Sequence, residues 1–378
     1  HQRYTRSFHY DNPVVGKGLL STDGVVWQKR RRQVQPAFRR ETMAHLVRMA
    51  NITADKLFAT WDATIATNQS LELMTEMQKL ALSVNSQALL SVEIAWDKAE
   101  KFGVAVRDAL KLLRKRNTSL IRFPAWMPTA LNRQLQQTKI ILDEHIAPII
   151  HARRQTRAGA QDILEALLEV RDPDTGDALT DQEILDETKT LFTAGFETTA
   201  TALTWALYLL AHNPEQTALW LAEVDAVLQG RAPEWDDLPK LPYTAQLINE
   251  TLRLYPPVYN IARECIETDV VNDHIIPKGS VVIMSILGIQ RDERWWPEPM
   301  AFRPERFASS YPKNAYLPFA TGRHLCIGNH FALTEMAVAL IRIAQTYAVE
   351  LLDKNPVAAA AQITLVPDRP LPFRLVAR

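Results

Sequence analysis

One long helix limits what this chain can become. Thr180-Asp181-Gln182-Glu183 has the pattern of a capping box, and His212, Asn213 and Pro214 close the far end. A helix of that length runs on the order of 45 Å at 1.5 Å per residue, the full width of a domain. Such an element must cross the interior, with the other elements packed around it. Its stretch 191–211 is apolar, yet Glu197 and five threonines fall within those 21 positions, which makes a poor lipid-facing surface. We read it as the buried helix of a soluble protein. The 378 residues, 47% of them hydrophobic, supply enough apolar surface to bury it.

The middle of this helix reads Ala194-Gly195-Phe196-Glu197-Thr198-Thr199, an acid and hydroxyls inside an apolar run. Helical threonines bond back to carbonyls one turn before and bend the helix, and Thr199 is given that role. Adjacent helical residues point about 100° apart, so Glu197 and Thr198 share one site only if the helix opens locally. Gly195 permits such an opening at modest cost.

A second constraint is the stretch Phe319-Ala320-Thr321-Gly322-Arg323-His324-Leu325-Cys326-Ile327-Gly328, followed by a helix-forming run from Asn329 to Ala344. The sulfur of Cys326 then sits in a tight loop at a helix N-terminus, where N–H groups and the helix dipole favour a thiolate. Gly322 and Gly328 let the backbone fold closely around one atom. These residues leave three readings of Cys326: a buried core cysteine, a nucleophile, or the axial ligand of a metal.

Elsewhere the signals are local. Asn12-Pro13, Gly16 and Gly18 mark loop; Gly16-x-Gly18 lacks a preceding strand and has Ser21 in the third glycine's place, which argues against a dinucleotide fingerprint. A helix begins near Val25 with Trp27 and Arg31 one turn apart on one face, and Lys29, Arg30, Arg31 and Arg32 read as a solvated side. Several helices follow from Glu41 to about Arg157, broken at Asn68-Gln69 and from Phe123-Pro124 to Pro128. Arg153, Arg154 and Arg157 beside Asp162 and Glu165 read as solvated surface. Asn213-Pro214 opens a helix that runs to Gly230. Glu250 and Arg253 face each other at i,i+3, just before Tyr255-Pro256-Pro257. His274-Ile275-Ile276, Pro277-Lys278-Gly279 and Ser280 to Met284 read as strand, turn and strand, and the tail from Gln362 to Phe373 as a small terminal hairpin.

Phe319, Gly322, His324, Cys326 and Gly328, at offsets −7, −4, −2, 0 and +2, resemble the haem-binding loop of the cytochrome P450 family, the haem-thiolate monooxygenases. His324 stands where that family most often has Arg. Ala194 to Thr199 resembles its oxygen-activation segment. Glu250-x-x-Arg253 with Arg306 resembles its structural Glu-x-x-Arg lock, and Trp27-x-x-x-Arg31 its propionate-binding helix. The resemblance runs from about Trp27 to the end. It implies one mainly α domain over residues 1–378 with small β-sheets, an α+β fold whose N-terminal sheet and first helix are missing or truncated here.

The same resemblance implies haem b with the Cys326 thiolate as the only protein ligand to iron. Trp27, Arg31, Arg263 and His324 would bind the propionates, and Ala194, Phe319, Gly322 and Gly328 would complete the cofactor site. Glu197 and Thr198 are the implied catalytic pair, delivering protons as one atom of O2 enters a C–H bond of a small hydrophobic substrate. Peroxide-driven or O2-independent haem-thiolate chemistry, or a haem-based sensor, are the alternatives.

Lys and Arg number 43 and Asp and Glu 43, so the formal charge is zero and neither nucleic acid nor an anionic membrane is an expected partner. Two cysteines, Cys265 and Cys326, fit a reducing compartment, and a cytoplasmic monomer is expected. No flavin or ferredoxin module is expected after Arg378. Electrons from NAD(P)H are therefore expected through a separate ferredoxin or flavodoxin-type donor with its reductase, docking on a basic patch from Lys29 to Arg32.

Overall fold

Helix dominates the computed structural model, which describes residues 2–3, 14–67, 69–92, 104–106, 108–109, 111–113, 115–116, 119, 123–124, 126–156 and 159–378. Asn12, Pro13, Asn68 and Arg157, which carry loop, break and charge readings, lie outside the described residues. The helices used below are α1 (Gly24–Val34), α2 (Arg40–Ala66), α3 (Leu73–Leu90), α4 (Ala130–Gln155), α5 (Ile163–Glu169), α6 (Asp181–His212), α7 (Pro214–Leu228), α8 (Pro242–Leu254) and α9 (Asn329–Thr346). The strands are β1 (Gln2–Arg3), β2 (Leu71–Glu72), β3 (Asn260–Glu264), β4 (Asp269–Val271), β5 (His274–Ile276), β6 (Val281–Ser285), β7 (Tyr347–Leu351), β8 (Ala359–Ala361), β9 (Leu365–Pro367) and β10 (Pro372–Ala377).

Side chains set the helix starts. Asp23, Thr129 and Asp162 cap α1, α4 and α5 by accepting backbone N–H groups. The Thr180 and Glu183 capping box forms at α6: Glu183 N–H donates to Thr180 Oγ1 and Thr180 N–H to the Glu183 carboxylate. Proline sits in the first turn of α7, and Gln229 with φ +51° ends that helix in the left-handed region.

Two compact units emerge, each built from separated stretches. The first comprises His1–Arg39, Leu89–Ala194 and Asn260–Met284, and the second Arg40–Ala88, Gly195–Tyr259 and Ser285–Arg378. In the first unit the loop before α1 lies directly on α6. A Cβ on Gly18 would come within 2.1 Å of the Thr190 hydroxyl, and one on Gly16 within 2.3 Å of the Asp186 carboxyl group. These glycines serve close packing on a helix, not a phosphate loop.

The solvated surface expected around Arg153 is instead a buried ion network. Arg153 donates to Asp162 at 2.9 Å, Glu165 at 3.3 Å and the Leu90 carbonyl at 2.9 Å, and both carboxylates are buried. Asp162 must point inward because its Oδ1 accepts the Glu165 N–H at 2.8 Å to cap α5, and Arg153 follows it. Arg154, paired with Asp181, stays half-exposed.

The strands at 274–276 and 281–285 form as expected, but they do not pair with each other. Asn272 and Asp273, at φ +46° and +66°, make a two-residue turn that folds β5 back on β4, with Val271 opposite His274. β6 joins β3 in the sheet β1-β3-β6.

In the second unit α9 packs on α2, α7 and α8. Its Phe331, Met336, Val338, Leu340 and Ile341 are buried, each contributing roughly 1.5–3 kcal/mol. The tail forms a hairpin, β8–β9, earlier than expected. β10 leaves it to lie between β2 and β7, with Phe373 opposite both Leu71 and Leu351. Phe373 is fully buried there, so the sheet gains more from it than a terminal hairpin would.

Candidate active site

The loop before α9 is closed by its own backbone. Cys326 N–H donates to the Phe319 carbonyl at 3.0 Å and Leu325 N–H to the Gly322 carbonyl at 3.1 Å. Gly322 has φ +71° and nothing within 4 Å of its absent Cβ, so its backbone angle, not space, requires glycine. Gly328 caps α9 at φ −92°, an angle open to any residue, so the role expected for that glycine is not a conformational one. Cys326 is exposed, which removes the core-cysteine reading. No acidic side chain lies in the first turn of α9, so the positive end of the helix acts on the sulfur without an acidic competitor there. His324 and Phe319 are half-buried in the same loop.

The segment leading to that loop is anchored by an ion pair. Glu250 and Arg253 are both fully buried, with Arg253 Nε and Nη2 donating to the two carboxylate oxygens at 2.7 and 2.8 Å. Arg253 also donates to the carbonyls of Gln290 and Pro299 at 2.9 and 2.8 Å, and Glu250 accepts the Arg303 N–H at 2.9 Å. Arg306 stands 3.4 Å from Glu250, completing the three-residue lock. Gln290 carries the restraint onward, accepting the Leu317 N–H at 2.7 Å.

On α6, Ala194 is exposed and Gly195, Glu197 and Thr198 are half-buried, between buried Thr193, Phe196 and Thr199. The helix does not open there: Asp181–His212 is α-helical throughout. Gly195 is occupied with packing, because its Cβ would stand 2.8 Å from Asn85 Oδ1 on α3. Thr198 Oγ1 therefore points back to the Gly195 carbonyl at 3.4 Å. The Glu197 carboxylate lies 3.5 Å from Gln78 Nε2 and 3.4 Å from Thr364 Oγ1.

Asn85 also meets Glu335 of α9, its Nδ2 lying 3.4 and 3.5 Å from the two carboxyl oxygens. Burial pushes the Glu335 carboxyl well above the ordinary carboxylate range, against the Asn85 hydrogen bond. Sequence reasoning missed this group, although an acid in the apolar run after Cys326 is a visible signal. Gly195→Ala should displace Asn85 and destabilise the protein by about 1–3 kcal/mol, read as a lower urea midpoint. An unchanged midpoint would contradict this packing.

In the first unit, Trp27 is buried and Arg31 half-buried, one turn apart on α1. Arg263 lies half-buried on β3, where burial lowers its pKa against the pull of Asp23. Lys29 pairs with Asp177 at 2.6 Å, Arg30 with Glu183 at 2.7 Å and Arg32 with Asp174 at 2.9 Å. These cations are neutralised within the unit, and Arg30 is buried. The stretch from Lys29 to Arg32 is therefore a weaker basic patch than expected: Lys29, Arg30 and Arg32 each face a carboxylate, with Arg30 buried and Lys29 and Arg32 still partly exposed.

Among the described residues, no group of three or more His, Cys, Asp and Glu could hold a metal ion. A cysteine thiolate held at a helix N-terminus is a donor that suits a haem iron. The donor set therefore fits the cofactor that the sequence implies. No helix among the described residues is long and apolar enough to cross a membrane.

Comparison with known proteins agrees. The family model for Cytochrome P450 matches residues 1–371. Cyclooctatin synthase of Streptomyces melanosporofaciens is 32% identical over 93% of this chain and 77% of its own length. Cyclooctat-9-en-7-ol 5-monooxygenase of the same organism is 30% identical over 88% of this chain and 73% of its own. The crystal structure of the cytochrome P450DA heme domain superposes with a TM-score of 0.88 at 28% identity, covering 97% of this chain and 81% of that one. A mainly helical architecture, a lone cysteine in a closed loop and a match over nearly the whole sequence converge on one assignment: this chain is a monooxygenase of the cytochrome P450 family.

Proposed function

We propose that this enzyme hydroxylates a small hydrophobic substrate at a C–H bond, using O2 and electrons delivered by a separate ferredoxin or flavodoxin-type donor whose reductase draws on NAD(P)H. The observation that carries the reading is the exposed Cys326 in its backbone-closed loop two residues before the cap of α9. Similarity to a relative named for the 5-monooxygenation of cyclooctat-9-en-7-ol supports a hydrocarbon-rich substrate class. Cys326 would hold the haem iron, with Trp27, Arg31, Arg263 and His324 toward the propionates. When bound, haem supplies O2 activation, promoted by electron donation from the thiolate.

The protein's own part is positional. Thr198 Oγ1 makes a long hydrogen bond of 3.4 Å to its helix carbonyl, so its hydroxyl is readily re-aimed to hold a proton at the reacting oxygen. Glu197, beside Gln78 and Thr364, would pass protons inward. Ala194, exposed on the same turn of α6, presents only a methyl group there. Cys326→Ser should abolish the red-shifted carbon monoxide band of the reduced protein while leaving the fold intact by circular dichroism. Persistence of the band would refute Cys326 as the ligand.

A further inference from the structure

The docking of α1 on α6 contains a charge arrangement that its mechanical role does not need. Arg30 of α1 is buried, donates from Nη2 to Glu183 Oε1 at 2.7 Å, and places Nε 3.2 Å from Glu187 Oε1. The other oxygen of Glu187 accepts the Leu19 N–H at 3.1 Å from the loop before α1. Glu187 is completely buried. Among the described residues neither its Oε1 nor Arg30 Nη1 has a hydrogen-bond partner, so the pair is close without being aligned.

Next to it, Lys189 bridges Asp186 at 3.4 Å and Asp143 of α4 at 2.7 Å, and Lys139 also pairs with Asp143. Asp186 takes the Lys17 backbone N–H at 2.8 Å, and the Lys17 side chain is exposed. Across this cluster three cations, Arg30, Lys139 and Lys189, face four carboxylates, Asp143, Glu183, Asp186 and Glu187. Lys29, paired with Asp177, also attracts Glu183, which is half-exposed; the carboxyl that burial most favours in its protonated form is Glu187, the most deeply buried of the four.

We propose that Glu187 is a positioning residue for the Trp27 and Arg31 face of α1, acting as a proton-bearing acid whose deprotonation loosens α1 on α6 and so weakens haem retention. This rests on the reading that Trp27 and Arg31 hold the propionates. The placement of the proton is supported by energetics: burial pushes the Glu187 carboxyl up to about 7, against Arg30 and the Leu19 N–H, with Asp186 and Glu183 adding to the rise. Docked α1 keeps a proton that a glutamate in water gives up near its ordinary value of 4.5. Docking therefore takes up one proton between those two values. It is strongest below the lower one, weakens by up to about tenfold per pH unit as pH rises through the window, and levels off above about 7.

The test uses haem-loaded protein over a series from about pH 5 to about pH 8.5, with two readouts: protection factors of the α1 backbone amides in hydrogen exchange, and haem transfer to apomyoglobin. In the parent, protection should fall and transfer quicken up to neutrality, then level off. Glu187→Gln should flatten both curves at the parent's low-pH level. Glu183→Gln, which removes one of the carboxylates that add to the rise at Glu187, should move the fall to lower pH, and it carries the test if Glu187→Gln does not fold. A parental slope in Glu187→Gln, or an unmoved midpoint in Glu183→Gln, overturns the proposal. Protection that responds as expected while haem transfer ignores both variants would instead overturn the assignment of Trp27 and Arg31 to the propionates.

Discussion

Glu250→Ala is expected to leave most of the protein insoluble, with any soluble fraction unfolding at a far lower urea concentration than the parent and failing to retain haem. Arg253 is fully buried and would keep its charge with no counter-ion. Removing one partner of a buried pair costs about 3–5 kcal/mol, a large share of the roughly 5–15 kcal/mol that holds a domain together. The damage also travels along the chain. Arg253 binds the carbonyls of residues 290 and 299, and Gln290 binds the N–H of Leu317, two residues before Phe319 opens the cysteine loop. Soluble Glu250→Ala protein with a parental midpoint would show that the lock contributes little to stability.

Thr198→Ala should fold normally, since alanine is the best helix former and the hydrogen bond from Thr198 Oγ1 to the Gly195 carbonyl is long, at 3.4 Å. With a reconstituted donor system and a turned-over substrate, the variant should still consume NAD(P)H but release hydrogen peroxide in place of product. Positioned proton transfer is typically worth about 10² to 10⁴ in rate, so the yield per reducing equivalent should collapse, and Thr198→Ser should recover much of it. Equal coupling in Thr198→Ala and parent would leave Thr198 as a helix-bonding threonine and nothing more.

What the sequence made legible was local. The capping box at Thr180 and Glu183, the i,i+3 spacing of Glu250 and Arg253, and the glycine before Cys326 each act within a turn or two, so their geometry follows from spacing alone. The missed features depend on partners far along the chain. Nothing near Gly195 announces Asn85, so a glycine needed for close packing looked like one needed for bending. Arg153 looked solvated because its charge was visible, whereas the inward turn of Asp162 and the carbonyl of Leu90 were not. Lys29, Arg30 and Arg32 looked like parts of a docking patch because their acidic partners lie about 150 residues downstream. The tail was misassigned for the same reason, since the choice of β7 over a local hairpin is made by Phe373 fitting between Leu71 and Leu351.

The placement of β10 bears on how the protein is made in the cell. Glu72 pairs with Pro372, so β2 leaves the ribosome long before the strand that completes its sheet. At about 5–20 residues per second of synthesis, roughly 15–60 s separate the two. During that interval the apolar faces of α2 and α3 wait without α9 and β10, and the second unit has no complete core to fold around. Closing contacts of such high sequence separation is slow even after synthesis ends. Until residue 372 is made, the nascent chain keeps apolar surface exposed that favours aggregation.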